Sequence, residues 1–171
     1  AHGWNLRDME QAGLLRVVFT SPQVFLAGLQ SPLSPINSAI RDMGVRRAVI
    51  DSVTQFQTLT TDPVELRSHY NHLVNGLRRE GITTLLLSEE GGHDLVRSDR
   101  GRLAFATDAV ILLRYVEIDS VMQRAVAVLK MRGSDHDKNI RRFEITRTGV
   151  SVHEPFRDRE GLLSGISRRT S

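Results

Sequence analysis

Two short apolar runs, Arg46 to Ser52 and Ile82 to Ser88, flank a single helical signature, and this order restricts the fold more than any other feature of the chain. Both runs are rich in β-branched and large aliphatic residues, the composition of buried strands. Between them, Asp62, Pro63 and Glu65 read as an N-cap, a first-turn proline and the acid of a capping box. Leu66, Tyr70, Leu73 and Leu77 then fall on one helical face, and Gly81 stops the helix. A strand–helix–strand unit of this kind predicts parallel strands joined by a right-handed crossover.

Upstream, the same alternation is expected once more. Asn5 caps a helix over Leu6 to Ala12 that ends at Gly13, and Leu14 to Thr20 reads as a buried strand. A Ser-, Pro- and Gly-containing loop is expected from Ser21 to Leu33. Ser34 then caps a helix with Pro35 in its first turn, Ile36, Ala39, Ile40 and Met43 on its apolar face, and Gly44 at its end.

Downstream the pattern changes. Glu89 to Arg102 is polar and glycine-rich and reads as a mobile loop. Four runs with short connections follow: Ala109 to Tyr115, Gln123 to Met131, Arg142 to Thr146 and Val150 to His153. Short connections mean antiparallel hairpins, with Thr148-Gly149 at one turn. The expected fold class is therefore α/β, a parallel central sheet extended by C-terminal antiparallel strands. Residues 1–164 are expected to form one domain and residues 165–171 a frayed tail.

The chain of 171 residues is ordinary in its apolar fraction of 40% and charged fraction of 25%. Its net charge of +3 is modest for a nucleic-acid binder. Without cysteines it has neither disulfides nor thiolate metal sites, and no apolar run approaches the roughly 20 residues of a bilayer span. An intracellular, cytoplasmic protein is expected.

Three places can carry chemistry. Asp51 ends an apolar parallel strand, where open α/β sheets place ligand-binding residues. An acid there can hold a magnesium ion, or it can simply cap the next loop. Ser88 ends the other parallel strand, suited to sensing a phosphate or positioning water, and equally ordinary as a strand-end serine. The third is Lys130-Met131-Arg132-Gly133-Ser134-Asp135-His136, in which a strand runs into a Gly-Ser bend. Lys130 and Arg132, two apart, share a strand face, and His136 returns from the far side of the bend. An ammonium, a forked guanidinium and an imidazole at a strand end suit an anion such as phosphate; a solvated basic hairpin tip is the plain alternative. His69 and His72 lack the further ligands that a zinc site needs. No Gly-x-x-x-x-Gly-Lys-Ser/Thr phosphate loop occurs anywhere in the chain.

The segment from Lys130 to Phe143, with Glu144-Ile145-Thr146 and Gly149 after it, resembles the KaiC family of RecA-like ATPases. The resemblance extends through Thr107 to Glu117, Ile50-Asp51-Ser52, Phe156-Arg157-Asp158 and Leu163-Ser164-Gly165. It implies a RecA-like three-layer core and a ring, hexameric in this family, that binds ATP and Mg2+ between subunits. It further implies Asp51 as the magnesium acid, Ser88 as a sensor-like residue, and Lys130 and Arg132 as cations reaching the γ-phosphate held by the next subunit. Met131, Ser134, His136 and Thr146 are then contacts on the ribose and base side. The family's first strand and phosphate loop are expected upstream of Ala1, a chain start that carries no methionine. Where the clock kinase has its phosphorylated Ser-Thr pair this chain has Ala104 and Phe105, so clock-type autophosphorylation is not expected. Arg147 stands where one clock domain has an acid.

Two other readings stand beside an ATPase. One is a degenerate, non-hydrolysing scaffold or regulatory interaction protein. The other is a RecA-type single-stranded DNA binder, for which Arg97, Arg100 and Arg102 among Asp94 and Asp99 are a poor match. Self-association is the expected partnership, with nucleic acid and membrane unfavoured.

Overall fold

The computed structural model describes residues 4–89, 100–164 and 168–169. The chain divides into two compact units, residues 5–91 and residues 92–171 together with 1–4. It is an α/β protein with a parallel sheet in the first unit and an antiparallel sheet in the second.

The first unit runs α1 (Leu6–Gln11), α2 (Pro22–Gln30), α3 (Pro35–Asp42), β1 (Arg47–Asp51), a 3-10 turn over Val53–Thr58, α4 (Pro63–Arg79) and β2 (Thr83–Leu87). β1 and β2 pair in parallel, Arg47 opposite Thr83 through Asp51 opposite Leu87, as the crossover requires. The core lies under α4. Leu66, Tyr70, Leu73 and Leu77 are buried together with Val53 and Phe56, and the Tyr70 hydroxyl donates to the Val53 carbonyl at 3.4 Å. Each such side chain stabilises by about 1.5–3 kcal/mol through burial. The Asp62 carboxylate caps α4 by accepting from Val64 N at 2.9 Å, but Glu65 does not reach back to the cap. It accepts from the Thr60 hydroxyl at 2.5 Å instead, and Thr60 Oγ1 in turn accepts from Asp62 N.

Two elements of this unit differ from the sequence expectation. The stretch expected as a loop contains α2, started by Ser21, whose hydroxyl accepts from Val24 N, and by Pro22 at the first helical position. Its serine and proline are helix-start signals. Gly28, within the helix, allows close approach to α3, since a Cβ there would meet Ile36 Cδ1 at 2.8 Å. Asn37 and Ser34 of the α3 start satisfy the carbonyls at the end of α2: Asn37 Nδ2 donates to Ser31 O at 2.8 Å and Gly28 O at 3.0 Å, and Ser34 Oγ donates to Gly28 O at 2.7 Å. Conversely, Leu14 to Thr20 forms no strand. Phe19 is 95% exposed and Leu14 75%. A β-branched run becomes a strand only against a neighbouring ladder and a packed face, and this one has neither among the described residues.

The second unit contains α5 (Arg100–Ala106), β3 (Ala109–Ile118), β4 (Val121–Met131), β5 (Arg141–Thr146), β6 (Gly149–Pro155), β7 (Arg159–Glu160) and β8 (Arg168–Arg169). β3 to β6 form a consecutive antiparallel sheet, as the short connections predict. The β3–β4 hairpin turns through Asp119 and Ser120, both at positive φ (50° and 63°), the backbone twist that two-residue hairpins need. Val116, Ile118, Ala125 and Leu162 make its core, with Ile140 and Phe156 against them. Residues 100–102 are helical rather than loop, and Arg168–Arg169 pairs antiparallel with Arg159–Glu160 where fraying is expected; the rest of the expected loop, residues 90–99, lies outside the described residues.

Both sheets have an exposed apolar face. Val49, Leu85 and Leu87 are exposed on the parallel sheet, and Ile111, Leu113, Tyr115, Val150 and Val152 on the antiparallel one. Among the described residues no helix is long and apolar enough to cross a membrane.

Candidate functional site

In the parallel unit the polar strand ends lie together. Asp51 is the last residue of β1 and stands opposite Leu87, so Ser88 follows directly beyond the end of β2. Both are exposed, and the Asp51–Ser52 peptide is cis. The edge is pinned just behind them. Glu89 N donates to the Thr54 hydroxyl at 3.0 Å, tying the segment after β2 to the turn after β1. Asp51 itself makes no side-chain hydrogen bond or ion pair among the described residues, so its lone pairs remain available to a ligand.

In the antiparallel unit the two cations at the end of β4 converge on one place, the C-terminal turn of α5. Lys130 Nζ donates to the carbonyls of Ala104 at 2.5 Å and Thr107 at 2.6 Å. Arg132 Nη2 donates to Phe105 O at 3.0 Å, and its Nη1 lies 3.7 Å from Asp108 Oδ1. The Arg132 amide completes the junction by donating to Asp108 O at 2.9 Å. The last carbonyls of a helix have no intrahelical partners and carry the negative end of its dipole, so cations are attracted there. Burial lowers the Lys130 pKa below the ordinary lysine value, the nearby Arg132 charge lowers it further, and Asp108 opposes both.

Beyond β4, Gly133 bends the chain at φ +78°, and Ser134 and His136 follow on the same connection. The connection is held by Asp137, whose carboxylate accepts from Asn139 N at 2.9 Å, Asn139 Nδ2 at 2.7 Å and Arg141 Nε at 2.5 Å. These bonds, the Asn139 amide first, hold its pKa down to about 2. Met131 alternates with the cations and pairs with Ala109. Thr146 is placed differently. It ends β5, and the antiparallel register of β4 and β5 puts it at the opposite end of the sheet from Lys130. Its hydroxyl is used in the β5–β6 turn, donating to Gly149 O at 2.9 Å and accepting from Thr148 N at 3.2 Å.

The structure thus brings Lys130 and Arg132 together on one turn, leaves Ser134 and His136 on the connection that follows, and sets Asp51 and Ser88 at neighbouring strand ends. Sequence reasoning missed Thr54 and Asp108. A Thr-Asp pair directly before a strand was visible, but nothing in its spacing says that its carbonyls and carboxylate receive cations from another strand. Among the described residues no three His, Asp or Glu side chains cluster as a metal site. A magnesium ion at Asp51 therefore fits only in the manner usual for that ion, with one or two carboxylates, waters and substrate phosphates.

Comparisons with known proteins place the chain as a whole among its relatives. The family model described as "ATPase: KaiC" matches residues 1–157. The circadian clock oscillator protein KaiC of Thermostichus vulcanus is 34% identical over 99% of this chain and 32% of its own length. The circadian clock protein KaiC3 of Synechocystis sp. is 32% identical over 100% of this chain and 34% of its own. The chain thus spans about a third of the length of these curated relatives. Among solved structures, a KaiC-like protein of the hyperthermophilic archaeon Pyrococcus horikoshii superposes with a TM-score of 0.73 at 27% identity, covering 90% of this chain and 66% of that one.

Proposed function

Because the chain belongs to the KaiC family of ATPases, we propose that residues 1–164 are part of an ATP-hydrolysing domain that works in a ring, with this segment supplying both sides of a shared nucleotide site. Asp51 holds magnesium, in part through water, and Ser88 beside it positions water or senses the γ-phosphate. Lys130 and Arg132 serve the nucleotide of the neighbouring subunit. Met131, Ser134 and His136 flank its ribose and base. Thr146, with its hydroxyl engaged in a turn far along the sheet, is given no part. The exposed apolar faces of both sheets are the kind of surface that further chain or a neighbouring subunit covers.

The observation that carries this reading is the convergence of Lys130 and Arg132 on one turn. A guanidinium held on one side by a hydrogen bond to Phe105 O and a loose ion pair with Asp108, and half exposed on the other, is preorganised to stabilise charge that develops during phosphoryl transfer. In the full-length protein, Arg132→Ala is expected to cut ATP turnover by about 10³-fold or more while nucleotide affinity changes only a few-fold. Turnover equal to wild type in that variant would remove Arg132 from the site.

A further inference from the structure

From the junction at the end of α5 we infer that Asp108 is a positioning residue for Arg132, and that the α5 C-terminal turn is the cradle that aims both cations. The inference rests on the reading of Arg132 as a phosphate-directed cation and adds what directs it. Nothing in the family comparison or in the sequence pattern assigns that part to Asp108.

Lys130 has three N–H donors, of which the carbonyls of Ala104 and Thr107 take two. Arg132 has five, and only its terminal nitrogens face Phe105 O and Asp108 Oδ1. One ammonium N–H is left without an acceptor among the described residues, and so are three guanidinium N–H groups, Nε–H among them. The cradle therefore fixes both side chains and leaves donors over for an incoming anion. A long arginine in water loses substantial rotamer freedom when it is fixed, and here the fixing is already present in the folded protein.

Asp108 acts twice. Its backbone carbonyl receives the Arg132 amide, which sets the strand end, and its carboxylate lies 3.7 Å from Nη1, where its charge draws that side of the guanidinium towards it while Phe105 O holds Nη2. A substitution can remove the second contact and leave the first. At 3.7 Å the ion pair is a loose one between half-exposed side chains, so it contributes little to stability and its effect lies in orientation.

The test compares Asp108→Asn, Asp108→Glu, Arg132→Ala and the Asp108→Asn/Arg132→Ala double variant in the full-length protein. Asp108→Asn is expected to lower kcat by roughly ten- to hundredfold, the cost of misplacing a catalytic group by about an ångström, with KM for ATP within about twofold. Asp108→Glu should recover part of the loss. In the Arg132→Ala background the same substitution should cost nothing more, because the group it positions is gone. Protection of the Arg132 amide from hydrogen exchange should persist in Asp108→Asn, since the bond to the Asp108 carbonyl remains. If Arg132→Ala is impaired but Asp108→Asn is as active as wild type or more active, Asp108 does not position Arg132 and only the inference fails. Equal further losses in both backgrounds, or loss of the amide protection, mean a structural role and also overturn it. Unimpaired Arg132→Ala overturns the functional reading and, with it, this one.

Discussion

The parallel unit and the antiparallel unit treat their polar strand ends in opposite ways. At the end of β1 the Asp51 carboxylate is exposed and uncommitted among the described residues, while the backbone just behind it is clamped by the Thr54–Glu89 bond. At the end of β4 both cations are committed, each to acceptors on the α5 turn or Asp108. The difference follows from the groups. An aspartate side chain is short, so a fixed Cα already places its carboxylate, and the part proposed for Asp51 asks only that its lone pairs stay open. Lysine and arginine side chains are long, so a fixed Cα places their charge loosely and the tip itself must be held.

The two units also differ in what stabilises them, and that difference can be broken first. Among the described residues the parallel sheet has two strands, so its stability rests on the helix packed against it. Leu73 is fully buried at the centre of that packing. Leu73→Ala is expected to cost about 2–5 kcal/mol, read as a lowered unfolding midpoint in denaturant and faster amide exchange in β1 and β2. A loss below about 1 kcal/mol would show that the core under α4 is not what holds the parallel strands.

In the antiparallel unit four strands follow one another through short connections, so the conformation of the hairpin turns matters. Ser120 occupies a positive-φ position that glycine adopts without steric cost. Ser120→Gly is expected to raise stability by about 1 kcal/mol, seen as a higher unfolding midpoint. Asp119, the other positive-φ residue, is a poorer choice because its carboxylate accepts from Arg159 Nη2 at 2.5 Å. An unchanged or lower midpoint for Ser120→Gly would mean that the turn is not strained as its dihedral angles indicate.

What the sequence made legible follows the same division. The α4 face was readable because four large residues recur with the helical period and all four are buried. The antiparallel strands were readable because their connections are too short for crossovers. Leu14 to Thr20 misled because strand composition describes a side chain's fit to a sheet, and the sheet must exist beside it. α2 was hidden because Ser, Pro and Gly mark loops and helix ends alike. The cation pair was legible as a pair, but its cradle was not: Lys130 lies 26 residues from Ala104, and a backbone carbonyl has no residue type to announce it.

The smallest expected effect concerns the connection that carries Ser134 and His136. Asp137 anchors it through Asn139 and Arg141, and those bonds favour the ionised carboxylate, holding its pKa down to about 2. A carboxylate depressed in the folded protein contributes stability that is present above the ordinary carboxylate pKa, near 4, and is lost as pH falls towards 2. Acidification through that window should therefore loosen residues 134–141 while the neutral-pH geometry stays unchanged. Because the carboxylate is solvent-screened, the change should be local, visible in the Asn139 amide and Arg141 Nε–H resonances rather than as global unfolding. Asp137→Asn should show the loosened signals already at pH 7 and no further change on acidification. The same signals titrating in Asp137→Asn as in wild type would place the anchor on another group and leave His136 without the support assigned to it here.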